Sequence, residues 1–269
     1  MPVYLFAVSQ VQQVHWGRAV LVFIILHLLV YPSSNGYNSY MDRDETPIGG
    51  LQKPMQPTRQ LFYTTLVMDA LAILLSFYVS VFFAAGVLLY ILASRAYSYR
   101  GIRLKRLPVM GFLTVFIFQG ALIFFITYHA VHLGRVISVP LLPCLISSVL
   151  IGALYPLTQV YQHEEDKRDG VTTISYLLGK RGTFIFCMVL FLSATALMYF
   201  FLAQQNRLNQ FFLFLLMLLP AVSYFLYWMQ KVWKMESAAD FKHSFMMNVV
   251  ATICTTLFFL TMIIQKGFE

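Results

Sequence analysis

The sequence predicts an all-α, polytopic membrane bundle of about nine transmembrane helices, the first truncated, with charged cytoplasmic loops over a central cavity. Three observations lead there. Of 269 residues, 59% are hydrophobic and only 11% charged, whereas a soluble domain carries about 25% charged residues. The apolar residues fall into runs of about 17–25, the length that takes a helix across roughly 30 Å of hydrocarbon. The runs also lack period-two alternation, which argues against a spanning barrel.

Taken in order, the first run, 2–14, is short for a crossing and lacks the basic start and small-residue cleavage site of a signal peptide. Full spans are expected near 17–36, 59–78, 80–97, 108–131, 137–161, 183–203, 208–230 and 243–265. The apolar stretch from 59 to 97 is too long for one crossing at about 1.5 Å per residue, so it is split near Tyr78. Cys144, Cys187 and Cys254 all fall inside spans. Without metal-ligand or disulfide spacing, they read as small apolar core residues.

Charge gives an independent check. Fifteen of the nineteen Lys and Arg residues belong to connections on one side, near 35–58, 98–107, 162–182 and 231–242. The other side has Arg18, Arg135, Arg207 and Lys266. Positively charged loops stay inside, so an integral protein of the cell (inner) membrane is expected, with those loops cytoplasmic. The net charge of +8 follows from this orientation, with attraction to anionic membrane lipids added. It requires no nucleic-acid partner.

Seven of the eleven carboxylates sit in two of these loops. Asp42, Asp44 and Glu45 lie in NSYMDRDETPIGG (38–50), and Glu164, Glu165, Asp166 and Asp169 in VYQHEEDKRDGVTT (160–173). If each loop begins as a helical continuation, Asn38, Asp42 and Glu45 share one face, and Gln162, Asp166 and Asp169 another. Two such ends facing each other form an anionic pocket at the membrane surface. Mg²⁺ suits that pocket, since it takes oxygen ligands and binds through one or two carboxylates plus substrate phosphates. Its candidate ligands are Asp42, Asp166, Glu45, Glu165 and Asp169.

A third loop, RAYSYRGIRLKRLP (95–108), adds five basic residues. Arg and Lys grip phosphate by charge-assisted hydrogen bonds, which makes Arg103, Lys105, Lys167 and Arg43 candidate diphosphate ligands. Any one of these loops reads as a solvated connection. The repetition of acid clusters after the second and sixth spans points further, to a lipid diphosphate. Among other polar residues, Asp69 lies within a span, either at a functional site or paired with a neighbouring helix. Gln119 either reaches a cavity or bonds across helices. His129 and His132 read as interfacial, and His163 as solvated rather than as a proton relay.

The three loops resemble those of the UbiA superfamily of intramembrane prenyltransferases. Asn38-Ser39-Tyr40-Met41-Asp42-Arg43-Asp44-Glu45-Thr46 is similar to N-D-x-x-D-x-x-x-D. Gln162, Asp166, Gly170 and Thr173, followed by SYLLGKRGT, are similar to D-x-x-x-D-x-x-x-G-x-x-T. YSYRGIRLK (97–105) is similar to Y-S-x-P-P-x-R-L-K, which adds Tyr97 as a candidate. The chain departs from the pattern at Ser39, Thr46 and Gln162, where the family has acids. Asp42 and Asp166 remain, and Asp44, Glu45, Glu164, Glu165 and Asp169 are neighbours able to compensate. The departures leave open one Mg²⁺ rather than two, a different diphosphate, or lost activity.

The resemblance implies one domain over 1–269. It also implies transfer of a prenyl group from a polyprenyl diphosphate to a membrane-accessible, often aromatic, acceptor, as in quinone biosynthesis. Asp42 and Asp166 would hold the Mg²⁺, Asn38 would orient a phosphate or a metal-bound water, and the prenyl tail would run among the helices. The alternatives are a degenerate member binding isoprenoid or quinone without chemistry, and a terpene-cyclase-like enzyme. A transporter ranks below both, because transporters place their breaks and charges at mid-membrane.

Overall fold

The computed structural model describes residues 1–43 and 45–267, so Asp44, one of the acids expected to compensate, lies outside the described residues. The chain is helical, with no strand among the described residues. A short helix α1 (Pro2–Gln10) precedes the second helix, α2 (Trp16–Asp42). Then follow α3 (Arg59–Val79), α4 (Val81–Ser98), α5 (Pro108–Val131) and α6 (Leu141–Thr158). A surface helix α7 (His163–Arg168) leads into α8 (Ile174–Gln204), α9 (Leu208–Lys234) and α10 (Phe241–Lys266). Among the described residues, eight of these are long and apolar enough to cross a membrane. The remaining expected element, α1, is a helix of nine residues.

The long apolar stretch breaks at Ser80, two residues after the expected point. Ser80 is extended, and its Oγ accepts from Phe83 N at 3.0 Å, capping α4. Such a cap satisfies one of the orphan N–H groups of a helix start. Helix α8 carries a break at Gly179 (φ 68°), four residues before the expected span start at 183. Two π-helical segments, Ile24–Val30 in α2 and Phe116–Leu122 in α5, widen their helices. Ser148 Oγ on α6 accepts from Ala121 N at 2.9 Å in the second of them.

Without a hydrophobic drive between helices in lipid, packing relies on small residues and interhelical bonds. Ala72, Ser76, Ser147, Ser148, Ala153, Ala221 and Ala251 are all buried. One apolar core surrounds α1, where Phe6 stacks on Phe259 at 4.7 Å between centroids. A second core, around Trp228, joins α6, α8, α9 and α10. The three charged loops meet at one end of the bundle: Arg103 pairs with Asp42 and Asp169, and Gln162 Nε2 donates to Pro47 O at 3.3 Å. The opposite end is closed by Arg18, whose NH2 donates to His132 O (3.0 Å) and Leu133 O (2.8 Å).

Candidate active site

A cavity of about 280 Å³ opens beneath the joined loops. Its walls come from α2 (Ser34, Asn35, Asn38, Ser39, Asp42), α4 (Tyr90, Ser94, Tyr97, Ser98), α5 (Gln119) and α6 (Tyr155, Thr158). Lys105, Gln159, Gln162, Glu165, Asp166 and Thr173 come from the connections.

The α2 wall is built from a poor helix former, Pro32-Ser33-Ser34-Asn35-Gly36, whose residues favour turns and caps in isolation. Tertiary contacts hold it helical: Ser33 Oγ lies 2.9 Å from Thr65 O, and Ser98 Oγ donates to Asn38 Oδ1 (2.7 Å). The helix stops at Asp42 because Arg43 turns left-handed (φ 57°). This corrects the expectation of a continued face: Glu45 has left the helix. It is exposed, and Gln56 Nε2 comes within 3.5 Å of its Oε1.

Asp42 is buried to 2% side-chain exposure, and its Oδ2 pairs with Lys105 Nζ. Arg103 NH2 approaches its Oδ1 at 3.7 Å, which leaves Oδ1 buried without a hydrogen-bond partner. Arg103 also pairs with Asp169, so that acid is spent on the loop and does not line the cavity.

The second acidic loop is likewise not a continuation of its span. Helix α6 ends in a 3₁₀ turn, and α7 starts afresh after Gln162. Its sequence HEEDKR puts acids in the first turn and cations in the last, the arrangement that suits the helix dipole. Gly170 (φ 66°) turns the chain out of α7, and Val171 N donates to Asp166 O at 2.8 Å. Thr173 caps α8 and directs its Oγ1 at Asp166 Oδ2, 3.4 Å away. Burial chiefly pushes the Asp166 carboxyl up to about 6, with Lys105 and Thr173 opposing and Asp42 and Glu165 adding to the rise.

Of the expected residues, the fold thus brings Asn38, Asp42, Tyr97, Lys105, Gln162, Glu165 and Asp166 to one cavity. Arg103 stands one contact behind. Lys167 and Arg43 are exposed and do not line it. Asp69 belongs to a separate buried network with Arg95 and Ser33. His163 bonds Ser175 Oγ at 2.8 Å, and burial and nearby Lys180 hold it down to about 4. His129 is tied to Ser80 and to Val136 O, far from the acids.

Sequence reasoning missed Ser34, Tyr90, Ser94, Tyr155 and Gln159. A signal existed for some of them: Ser34, Asn38 and Asp42, and likewise Ser94 and Ser98, recur at four-residue spacing on one helix face. Tyr155 bonds both Tyr97 and Gln159 (Nε2 to OH 2.8 Å).

Behind this polar cavity lies a second, of about 310 Å³. It is largely apolar, running past Leu150, Ile151 and Leu154 to Leu218, Phe6 and Phe259. Gln119, Tyr155 and Thr158 line both cavities and form the wall between them.

Among the described residues no three His, Cys, Asp or Glu side chains converge in a ready-made metal cage. The donor set still fits a hard divalent cation. Asp42, Glu165, Asp166, Asn38 and Gln162 offer oxygen atoms to one space, and the unpartnered Asp42 Oδ1 is a buried acceptor in want of a donor or cation.

The family model of the UbiA prenyltransferase family matches residues 1–250. No curated protein matches the chain. Among solved structures, the apo form of a UbiA homologue from Aeropyrum pernix K1 superimposes with a TM-score of 0.70 at 16% identity, over 97% of this chain and 95% of that one. A UbiA homologue from Archaeoglobus fulgidus bound to GPP and Mg²⁺ gives 0.65 at 18% identity, over 97% and 95%. A digeranylgeranylglyceryl phosphate synthase gives 0.62 at 17%, over 97% and 91%. These likenesses establish the shared fold.

Proposed function

The chain belongs to the UbiA prenyltransferase family, and from that premise we propose that it transfers a prenyl group from a polyprenyl diphosphate to a membrane-accessible acceptor, aromatic in the quinone-precursor manner, with Mg²⁺. The observation that carries this reading is the pairing of two cavities across one wall. Asp42, Glu165, Asp166 and Lys105 face the polar one, and an apolar pocket adjoins it.

Asp42, Glu165 and Asp166 line the polar cavity and would hold the metal, and Asn38 and Gln162, on the same wall, would orient its waters or a phosphate. When bound, the ion supplies Lewis-acid neutralisation of the leaving diphosphate. Lys105 and Arg103 donate to the same phosphate oxygens. The prenyl chain enters the apolar cavity, which puts the reacting carbon near the wall of Gln119, Tyr155 and Thr158. There the C–O bond to diphosphate breaks with its electron pair and the bond to the acceptor forms. The acceptor's proton then leaves toward the open, charged end. Tyr97 and Tyr155 line the cavity, and aromatic rings there would stabilise the positive charge that develops. By the distribution of basic residues, the charged end is cytoplasmic.

The test uses purified protein in lipid, polyprenyl diphosphates of graded length and an acceptor-rich lipid extract. Mg²⁺-dependent diphosphate release should occur and be lost in Asp42→Ala and Asp166→Ala. Binding without release from any donor would instead identify a non-catalytic isoprenoid binder, the reading that Ser39 and Gln162 favour. Release without an acceptor would identify a cyclase.

A further inference from the structure

We propose that Tyr155 is a catalytic residue: its hydroxyl takes the proton that the acceptor loses and hands its own, through Tyr97, to the departing diphosphate. The inference rests on the reading above and supplies the route for that proton.

A route is needed because the two cavities differ in chemistry. Asp42, Glu165 and Asp166 line the polar cavity, and no carboxylate or histidine among the described residues lines the apolar one. An aromatic carbon that has just bonded to the prenyl group sits at the wall between them, with a positive charge on its ring and a surplus proton. Of the wall residues, Gln119 carries an amide, a poor proton acceptor, and Thr158 Oγ1 donates its hydrogen to Tyr155 O at 2.7 Å. Tyr155 is the one tyrosine among the described residues that lines both cavities.

Local structure sets its hydroxyl in a chain of three groups. The regular helix gives way here, since Pro156 has no N–H to continue the ladder, and Tyr155–Thr158 tighten into a 3₁₀ turn. Gln159 follows that turn, is 6% exposed, and donates through Nε2 to the Tyr155 hydroxyl at 2.8 Å. On the other side the Tyr155 hydroxyl bonds that of Tyr97, from the last turn of α4.

The donor and acceptor inventory gives the chain a direction. A phenol has one O–H to donate and two lone pairs. The Gln159 amide nitrogen can only donate, so it fills one lone pair of Tyr155. When Tyr155 donates to Tyr97, its second lone pair stays open to the acceptor. Tyr97 then keeps its own hydrogen for the polar cavity, which it lines with Asp42, Lys105 and Asp166. The reverse order would fill both lone pairs of Tyr155 and turn the Tyr97 hydrogen away from the diphosphate. In the step itself, the acceptor C–H bond breaks and its electron pair restores the aromatic ring. Tyr155 Oη gains that proton as its own passes to Tyr97 Oη, and the Tyr97 proton passes to a diphosphate oxygen. Both tyrosines end neutral, and the products are the prenylated ring and a protonated diphosphate.

The experiment reads the proton directly. Full-length protein in nanodiscs is given geranyl diphosphate and a panel of hydroquinones and hydroxybenzoates, each with and without ring deuterium. Departure of diphosphate precedes proton loss, so the wild type should show no primary isotope effect. Tyr155→Phe keeps the ring and removes the hydroxyl. Its kcat should fall about a hundredfold, the scale of a lost proton-transfer group, and a primary isotope effect should appear. Tyr97→Phe cuts the same chain at its second link and should do likewise, and the double variant should be no slower than either single. Binding of inorganic diphosphate with Mn²⁺, which shares the oxygen preference of Mg²⁺, should be unchanged in Tyr155→Phe. An unchanged kcat in that variant, a fall in kcat without an isotope effect, or lost diphosphate binding would overturn the proposal and leave the prenyltransferase reading standing. No transfer from folded wild type to any of these acceptors would overturn both.

Discussion

Replacing Arg95 by alanine should cost more stability than any surface change in this chain. Arg95 on α4 donates to Asp69 Oδ2 on α3 through Nε at 3.0 Å and again through NH2. NH2 also reaches Ser33 Oγ on α2 at 3.0 Å, and the guanidinium stacks over the Tyr37 ring at 3.9 Å. Asp69 keeps a second bond, from Ser33 Oγ at 2.6 Å. The side chains are 12% and 16% exposed, so water does little to screen either charge. Removing Arg95 leaves the Asp69 carboxyl buried with one hydroxyl for company, and breaking a buried pair this way costs about 3–5 kcal/mol. For a chain of this size that is a Tm loss of roughly 6–20 °C, at about 2–4 °C per kcal/mol. Asp69→Leu combined with Arg95→Leu removes both charges and should recover most of that loss, since apolar replacement of a buried pair is often neutral. The assay is unfolding of wild type, both single variants and the double variant in mixed micelles, read as a double-mutant cycle. An Arg95→Ala loss below about 1 kcal/mol, or a double variant as unstable as the singles, would refute the reasoning.

Four further outcomes are expected. Because the Asp166 carboxyl titrates near 6, it is neutral below that pH and charged above it. Mn²⁺ affinity should therefore fall about tenfold per pH unit below 6 and level off above 7, and Asp166→Asn should abolish that slope. The contribution of this one carboxyl to metal-free stability runs the other way, greatest in acid and decreasing as pH rises from 3.8 toward about 6, since the folded state holds this proton more tightly. Phe6→Leu, at the far end of the apolar cavity against Phe259, should shift relative kcat/KM toward longer donors by about tenfold, the scale of a methylene-sized change in a pocket. An unchanged length preference would show that the chain does not reach Phe6. Gly111→Ala should displace the Lys105 turn and weaken inorganic diphosphate binding about tenfold, or about 1.4 kcal/mol, as measured by calorimetry.

The spans were legible because bilayer thickness dictates their length, whatever packs against them. Asp42 and Asp166 were legible because charge that cannot stay in hydrocarbon collects where helices emerge. Glu45 was misplaced because a face argument assumes the helix continues, and nothing in M-D-R-D-E marks Arg43 as the left-handed residue that ends it. The alternatives for Asp69 could not be separated in sequence, since Arg95 comes to its depth only through the hairpin that breaks at Ser80. Tyr155 was invisible for a similar reason: aromatic residues are common in membrane helices, and only the meeting of α4 with α6 singles this one out.

The wall of Gln119, Tyr155 and Thr158 is also a dielectric boundary. The polar side lies at the charged end, where salt and water can screen charge; the apolar side has hydrocarbon walls, across which fields fall off less. A single reaction at that boundary would answer to two sets of conditions. Added salt should weaken capture of the diphosphate and leave the choice of prenyl length untouched, while changes in the apolar pocket should do the reverse.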